Sequence, residues 1–117
     1  MKKRILLTGA TGFFGSFLAK ALVSKGYQLV VLKRKRSSLR RIESILPVIA
    51  LYDIEKLDFS IPFKSHGVID TVIHTATCYG RNGETAMEIF DANSAFPLRL
   101  LEAAIFFNTD TFFNTDT

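Results

Sequence analysis

Ile5-Leu6-Leu7-Thr8-Gly9-Ala10-Thr11-Gly12-Phe13-Phe14-Gly15 is the stretch that decides the fold of this chain. Its apolar start predicts a short buried strand, Ile5 to Leu7, and the residues after Gly12 predict a helix. Three glycines at such a corner allow a tight turn, bring backbone N–H groups close to a diphosphate and let the helix pack against the strand. The G-x-x-G-x-x-G spacing therefore predicts a dinucleotide-binding turn, with a purely structural corner as the alternative.

The helix after the glycine turn is predicted from apolar residues that recur with a period of 3.6 residues. The face expected to point toward the core carries Phe14, Phe17, Leu18, Ala21 and Leu22. The glycine at position 26 follows a lysine, which is the pattern expected just past the C-terminus of a helix.

Length and composition limit the possible classes of function. The 117 residues suit one domain (1–117), which is short for a complete two-substrate enzyme. Hydrophobic residues make up 48% of the chain, yet no apolar run reaches the roughly 18 residues of a membrane span. The single cysteine, Cys78, excludes an intrachain disulfide and predicts a reducing, cytoplasmic location. We expect neither a membrane nor a nucleic acid as a partner.

Basic residues are concentrated after the second predicted strand, Tyr27 to Leu32. Six of the fifteen Lys and Arg residues lie between positions 33 and 41. In a dinucleotide-binding sheet the end of the second strand faces the adenosine ribose, where a carboxylate favours NAD. Lys33, Arg34 and Arg36 stand there instead, and guanidinium groups suit a 2′-phosphate. The sequence therefore favours NADP(H), with NAD possible and a solvent-facing basic loop as the alternative.

Two further buried strands are predicted, over 48–52 and 70–74. Asp53 and Ile54 follow the third strand, where the carboxylate either accepts a hydrogen bond from the adenine amino group or forms a turn. Small residues follow the fourth strand, and such residues leave room for a ligand at the switch point of the sheet. His74 ends that strand with no carboxylate nearby in the sequence, so it is expected to be structural.

The last third of the chain predicts a helix and a fifth strand. A helix over 84–104 is interrupted at Pro97, which cannot donate a hydrogen bond to the Asn93 carbonyl. The hexamer Phe-Phe-Asn-Thr-Asp-Thr then occurs twice, and the second copy is expected to contain strand 112–114. A short helix is predicted over 37–47. Together these elements predict an α/β fold, a Rossmann-like, doubly wound parallel sheet of five strands in the order 3-2-1-4-5.

The order of these motifs resembles the extended short-chain dehydrogenase/reductases, the NAD(P)-dependent epimerases and dehydratases of nucleotide sugars. The matching segments are Thr8–Gly15, Asp70–Ala76, Asn93 and Leu100–Ala104, which together cover nearly the whole chain. Within the family, residues 74–80 and 113–117 are most similar to the CDP-abequose synthase branch, whose members reduce a 4-keto CDP-sugar with NADPH. The resemblance implies an oxidoreductase that acts on a nucleotide sugar by 4-keto reduction, epimerisation or dehydration.

The resemblance also implies roles for individual residues. The catalytic Ser/Thr of the family falls on Thr117, with Thr115 as the runner-up, and Asn93 matches the asparagine of the kinked family helix. The implied cofactor-binding residues are Gly9, Thr11, Gly12, Phe13, Phe14, Gly15, Lys33, Arg34, Arg36, Asp53, Ile54, Thr75, Ala76 and Thr77. No residue is expected to bind a metal.

The chain departs from the family in one feature, the Tyr-x-x-x-Lys pair that protonates the sugar oxygen. Only Tyr52 is followed four residues later by a lysine, Lys56, and it ends the third strand instead of lying in a helix after the fifth. The chain is therefore expected to be the N-terminal part of a longer enzyme and to be inactive by itself. A homo-oligomer is expected as well, because a sheet that ends at its fifth strand has an open edge. A catalytically silent NAD(P)-binding sensor or partner-binding module is the alternative.

Overall fold

Five parallel strands form one sheet in the order β3-β2-β1-β4-β5. The computed structural model describes residues 3–76 and 80–114. The strands are β1 (Arg4–Thr8), β2 (Gln28–Lys33), β3 (Ile49–Asp53), β4 (Thr71–His74) and β5 (Thr111–Asn114). The α-helices are α1 (Phe13–Ser24), α2 (Ser60–Ser65), α3 (Ala86–Phe90) and α4 (Phe96–Phe106). The predicted fold class and strand order are confirmed.

β1 lies at the centre of the sheet and is buried on both faces. Leu6 and Leu7 are both fully buried and point to opposite faces, because side chains alternate along a strand. Leu7 belongs to a cluster with Ala19 of α1. Leu6 belongs to a second cluster with Val72 of β4 and Leu100 of α4. Burial on both faces explains why the strands are continuous apolar runs and do not alternate with polar residues.

The face of α1 that packs against the sheet overlaps only in part with the predicted one. Phe14 and Phe17 are 59% and 75% exposed, and Ala21 is exposed as well. The residues that the helix buries or half-buries are Gly15, Ser16, Leu18, Ala19, Leu22 and Val23. The prediction is confirmed for Leu18 and Leu22, which pack against the core, and wrong for Phe14, Phe17 and Ala21. Two apolar stripes that share Leu18 and Leu22 both fit the helical period. The backbone contact between Gly15 and Gly9 selects the observed stripe, since only glycine allows that approach.

The predicted helix over 84–104 is divided into three parts. α3 is followed by a π-helical turn, Asp91–Ala95, and then by α4, whose first turn contains buried Pro97. Proline has no N–H to donate to the preceding turn, and the backbone of that turn is π-helical. The interruption predicted at Pro97 therefore lies one turn earlier. A π-helical turn inside a longer helical segment often marks a functional region.

Thr85 and Glu88 form a capping box at the start of α3. The Thr85 hydroxyl oxygen accepts the Glu88 backbone N–H at 3.1 Å, and the Glu88 carboxylate accepts the Thr85 backbone N–H at 2.9 Å. The two bonds satisfy donors that a helix start otherwise leaves without acceptors. This capping holds a short helix in place beside the crevice described below.

The remaining predicted elements are present with small shifts. The helix predicted over 37–47 is a 3-10 helix, Arg40–Val48, in which Ile42 and Ile45 are buried. The fifth strand begins one residue before its predicted start, and it pairs with β4 at the edge of the sheet. No helix in the described ranges has the length and apolarity that a membrane crossing requires.

Candidate dinucleotide site

Gly9 and Gly15 bring the end of β1 and the start of α1 into backbone contact. Gly9 has a φ of +76°, and a Cβ atom there would overlap the Thr75 side chain across the crevice. A Cβ atom at Gly15 would overlap the Gly9 carbonyl oxygen. Gly12 has a φ of −81°, and a Cβ atom there would meet only that oxygen, at an ordinary 3.5 Å. Packing therefore requires the first and third glycines, whereas the second leaves space for a ligand.

The N-terminus of α1 opens toward the same space. Its N-cap residue is Gly12, and among the described residues no side chain caps it and no acid occupies its first turn. The first N–H groups of a helix have no helical acceptors, and the helix dipole favours an anion at this end. The turn thus presents backbone donors and a favourable potential where a diphosphate can bind.

Thr8, the last residue of β1, ties the glycine turn to the end of β4. Its hydroxyl oxygen accepts the backbone N–H groups of Thr75 at 3.0 Å and Ala76 at 3.2 Å. The Thr75 hydroxyl donates in turn to the Thr8 carbonyl at 2.7 Å. These bonds fix the spacing between two strand ends that flank the crevice. Sequence reasoning missed this role, because the partners lie 67 and 68 positions away.

His74 completes the Thr8 network. Its Nδ1 lies 2.7 Å from the Thr8 hydroxyl oxygen, and the side chain is 3% exposed. Two N–H donors already occupy both acceptor sites of that hydroxyl, so its single hydrogen donates to Nδ1. Nδ1 is the acceptor in this arrangement, and the His74 ring packs against Phe96 at a centroid distance of 5.4 Å. This arrangement agrees with the structural role expected for His74.

A cavity of about 660 Å³ opens beside the glycine turn, at the carboxyl ends of the strands. The predicted cofactor-binding residues that line it are Gly9, Thr11, Gly12, Phe13, Phe14, Gly15, Lys33, Arg34, Ile54, Thr75 and Ala76. They converge because the ends of parallel strands meet at one edge of a sheet. Arg36 and Asp53 are described but are not among the lining residues. Thr77, Thr115 and Thr117 lie outside the described residues.

Lys33 and Asp53, predicted to contact the ribose phosphate and the adenine, contact each other. They are register partners at the ends of β2 and β3, and Nζ lies 2.5 Å from Oδ1. The Lys33 side chain is 10% exposed and that of Asp53 is 44% exposed. Of the three cations predicted to meet a 2′-phosphate, Arg34 is the exposed one that lines the cavity.

The basic run after β2 forms a β-turn, Arg34–Ser37. The Ser37 N–H donates to the Arg34 carbonyl at 3.0 Å, and Ser37 itself lines the cavity. Arg41 joins the following 3-10 helix to the glycine turn, since its guanidinium donates to the Thr11 carbonyl at 3.3 Å. Ser37 therefore lies at the cavity near Arg34, and the guanidinium of Arg41 lies at the glycine turn. Neither residue had a predicted ligand role.

The far wall of the cavity comes from the segment that follows β4 and from the start of α4, to which sequence reasoning gave no ligand role. Its lining residues are Arg81, Asn82, Glu84, Glu88, Asp91, Ala92, Phe96 and Arg99. The pKa of the Glu88 carboxyl is lowered, chiefly because the Thr85 backbone N–H donates to it. No motif marks these residues, and only the path of the chain places them opposite the glycine turn.

Asn93 lies apart from the glycine-turn cavity. It lines a separate hollow of about 360 Å³ between α4 and β5, together with Pro97 and Phe112. Asn93 has an interaction partner in the structure. A catalytic role for this asparagine stays a prediction.

The chain is similar in sequence to proteins of one known family. Residues 5–117 match the NAD dependent epimerase/dehydratase family. CDP-abequose synthase of Salmonella muenchen is 35% identical over 117 residues, which cover 100% of this chain and 38% of the synthase. UDP-N-acetyl-alpha-D-glucosaminuronate decarboxylase of Bacillus cytotoxicus is 30% identical over 111 residues, which cover 90% and 34%. The chain thus spans little more than a third of the length of these curated relatives.

A solved structure shows the same arrangement of strands and helices. UDP-glucose 4-epimerase from Bifidobacterium longum, in complex with NAD+ and UDP, superposes with a TM-score of 0.79 at 26% identity. The match covers 98% of this chain and 37% of the epimerase. The Rossmann-like architecture is therefore shared over almost the whole chain.

Proposed function

The chain belongs to the NAD dependent epimerase/dehydratase family, and we propose that it is the dinucleotide-binding part of an oxidoreductase acting on a nucleotide-linked sugar. The observation that carries the proposal is the cavity, which the glycine turn and the β4 edge fixed by Thr8 form together. Residues 1–117 bind and orient the cofactor in this assignment, and a longer chain supplies the sugar site. The reaction is a 4-keto reduction, an epimerisation or a dehydration.

We propose NADP(H) as the preferred cofactor and NAD as a weaker ligand. The end of β2 carries Lys33 where a carboxylate would favour NAD, and the exposed Arg34 lines the cavity beside it. A guanidinium forms strong charge-assisted hydrogen bonds with phosphate oxygens. Because Asp53 pairs with Lys33, Arg34 is the main cation for a 2′-phosphate in this proposal.

Calorimetric titration with NAD+ and NADP+ tests the cofactor proposal. We expect the chain to bind NADP+ more tightly than NAD+. Replacement of both Arg34 and Arg36 by Ala should reduce the ratio of the two affinities by at least about tenfold, since a charged hydrogen bond contributes ~1.5–3 kcal/mol. The matched control replaces Lys20 and Lys25, two exposed cations of α1 and its C-cap, by Ala. It should leave the ratio of the NADP+ and NAD+ affinities unchanged. Equal affinities in the unmodified chain contradict the preference, and no binding of either contradicts the site.

We propose Thr117 as the hydroxyl that hydrogen-bonds the reacting sugar oxygen in the longer enzyme, with Thr115 as the alternative. Both follow β5, whose last residue, Asn114, is the register partner of His74 at the carboxyl edge of the sheet. Such a bond acts mainly in the transition state, so Thr117→Val should lower turnover by ~10²-fold and leave cofactor affinity nearly unchanged. Thr115→Val is the matched control, and a loss confined to that variant transfers the role to Thr115.

A further inference from the structure

Two turns face each other at the ribose end of the cavity. One is the basic turn Arg34–Ser37, and the other is the turn that follows β3, which the Leu57 N–H closes by donating to the Ile54 carbonyl at 3.2 Å. The carboxylate of Glu55 joins the two turns, because it accepts the Lys35 backbone N–H at 3.0 Å. The turns are therefore held in register by a charged side chain.

The backbone of the second turn is unusual for its sequence. Lys56 has a φ of +60°, a conformation that favours glycine or asparagine and that a lysine adopts at a cost. The Ile54 N–H, which donates to the Lys33 carbonyl at 2.8 Å, anchors the start of this turn against β2. A residue with such a strained φ persists where the surrounding structure holds it. Here the strained turn places the Glu55 carboxylate against the basic turn.

Glu55 also lines the cavity, as do Lys33 and Arg34. A negative charge at this position opposes a 2′-phosphate and partly offsets the cations that attract it. The same carboxylate is an acceptor for a ribose 2′-hydroxyl, since its second oxygen has lone pairs that the Lys35 bond does not use. The charge balance at the ribose end therefore depends on an acid from β3 as well as on the cations after β2.

We infer that Glu55 is a specificity-determining residue, which weakens binding of a 2′-phosphate and supports binding of a 2′-hydroxyl. The inference rests on the proposed dinucleotide site. It assigns to the turn after β3 the carboxylate that many NAD-binding sheets carry at the end of β2. The chain is then expected to accept both cofactors, with a preference set by Arg34 on one side and Glu55 on the other.

The test compares NAD+ and NADP+ affinities of the chain with those of Glu55→Gln. Glutamine keeps an acceptor for the Lys35 N–H, and it removes both the charge and the second oxygen that would accept the ribose 2′-hydroxyl. We expect the NADP+ to NAD+ affinity ratio to rise by about twofold to fivefold at low salt, the range of exposed charge interactions, and this rise to become smaller in 0.5 M salt. Glu102→Gln, which removes an exposed carboxylate on α4 outside the cavity lining, should leave the ratio unchanged.

Each outcome decides a separate point. An unchanged ratio in a variant that still binds both cofactors overturns the role of Glu55 and leaves the dinucleotide site intact. An equal loss of affinity for both cofactors in Glu55→Gln assigns the residue a structural role and also overturns the inference. Absence of binding to the unmodified chain overturns the proposed function and, with it, this inference.

Discussion

Gly12 differs from the two glycines that flank it in the turn, although all three belong to one motif. Gly9 and Gly15 are required because β1, α1 and Thr75 meet there without room for a Cβ atom. Gly12 has an ordinary φ and lines the cavity, so a methyl group there projects into ligand space and not into protein. We therefore expect Gly9 and Gly15 to be required for folding and Gly12 to be required for ligand binding.

We predict that Gly12→Ala keeps the fold and weakens dinucleotide binding by at least about tenfold, since the methyl group lies where the diphosphate approaches the backbone. Gly15→Ala should instead lower the free energy of unfolding by about 2–3 kcal/mol or more, because the strand and helix must separate. Urea denaturation and calorimetric titration of both variants measure the two effects. Loss of stability in Gly12→Ala, or normal stability in Gly15→Ala, would refute this division of roles.

Residues that act through neighbours in the sequence were predictable, and residues that act across the sheet were not. The glycine turn and the small residues after β4 are local patterns, and the structure places them in one cavity. The Lys33–Asp53 ion pair depends on the register between β2 and β3, which no local pattern specifies. The ion pair was therefore not predicted, and the contacts of Lys33 and Asp53 with a cofactor stay predictions.

At the scale of elements, the rotation of α1 shows what hydrophobic periodicity leaves open. Phe14 and Phe17 have the spacing of a buried stripe, yet the stripe that contains Ala19 faces the sheet. Large apolar side chains would favour the first stripe by burial alone. Backbone contact at Gly15 holds the helix too close to β1 for phenylalanine to fit between them. A steric requirement of one residue thus overrides the hydrophobic pattern of a whole helix.

The capping box of α3 predicts a pH dependence for this helix. The pKa of Glu88 is lowered from 4.5, chiefly by the hydrogen bond from the Thr85 backbone N–H, so the cap stabilises the fold while the carboxylate is ionised. A carboxyl whose folded pKa is lowered contributes fully above its ordinary pKa and loses that contribution as pH falls through the folded value. We expect α3 to loosen below pH 4.5.

Nuclear magnetic resonance measures this effect through the Thr85 amide. Its chemical shift should titrate with a midpoint below 4.5, the ordinary value for glutamate, and the α3 signals should broaden over the same range. Glu88→Gln retains an acceptor and does not ionise, so its Thr85 amide should show no such transition. A midpoint at or above the ordinary value would contradict the capping assignment.

At the scale of the whole molecule, large apolar side chains remain exposed on the β5 side. Leu98, Ile105 and Phe106 of α4 are 58%, 67% and 77% exposed, and Phe113 of the edge strand is 54% exposed. An open strand edge beside apolar surface favours association, because pairing satisfies backbone groups and removes the surface from water. We therefore expect the chain to form homo-oligomers through this side.

Sedimentation equilibrium tests that expectation. Ile105→Glu should weaken association by about tenfold or more, since a charge would be buried in the contact. Val48→Glu is the matched control, because Val48 is 65% exposed at the end of the 3-10 helix, away from β5. Monomers at all concentrations in the unmodified chain, or equal effects of the two substitutions, would count against an interface on the β5 side.

The sheet order could be predicted because β1, β2 and β3 contain continuous apolar runs and the glycine turn identifies β1 as the central strand. The far wall of the cavity could not, because its residues share no motif and reach the site only through the path of the chain after β4. Glu55 belongs with them, since its role depends on a turn that Lys56 makes against its own conformational preference. Local sequence patterns therefore predicted the glycine turn and the end of β4, and they did not predict the residues of the far wall or the role of Glu55.

β1 precedes the other four strands in the order of the chain and stands in the middle of the finished sheet. It can pair with β2 early in synthesis, but its other edge waits for β4, which ends at His74. Throughout that interval the growing chain carries an apolar strand with one open edge, and neighbouring nascent copies on the same messenger RNA offer the same edge. We therefore expect the nascent chain to need chaperone protection until β4 has emerged, because β4 pairs with the open edge of β1.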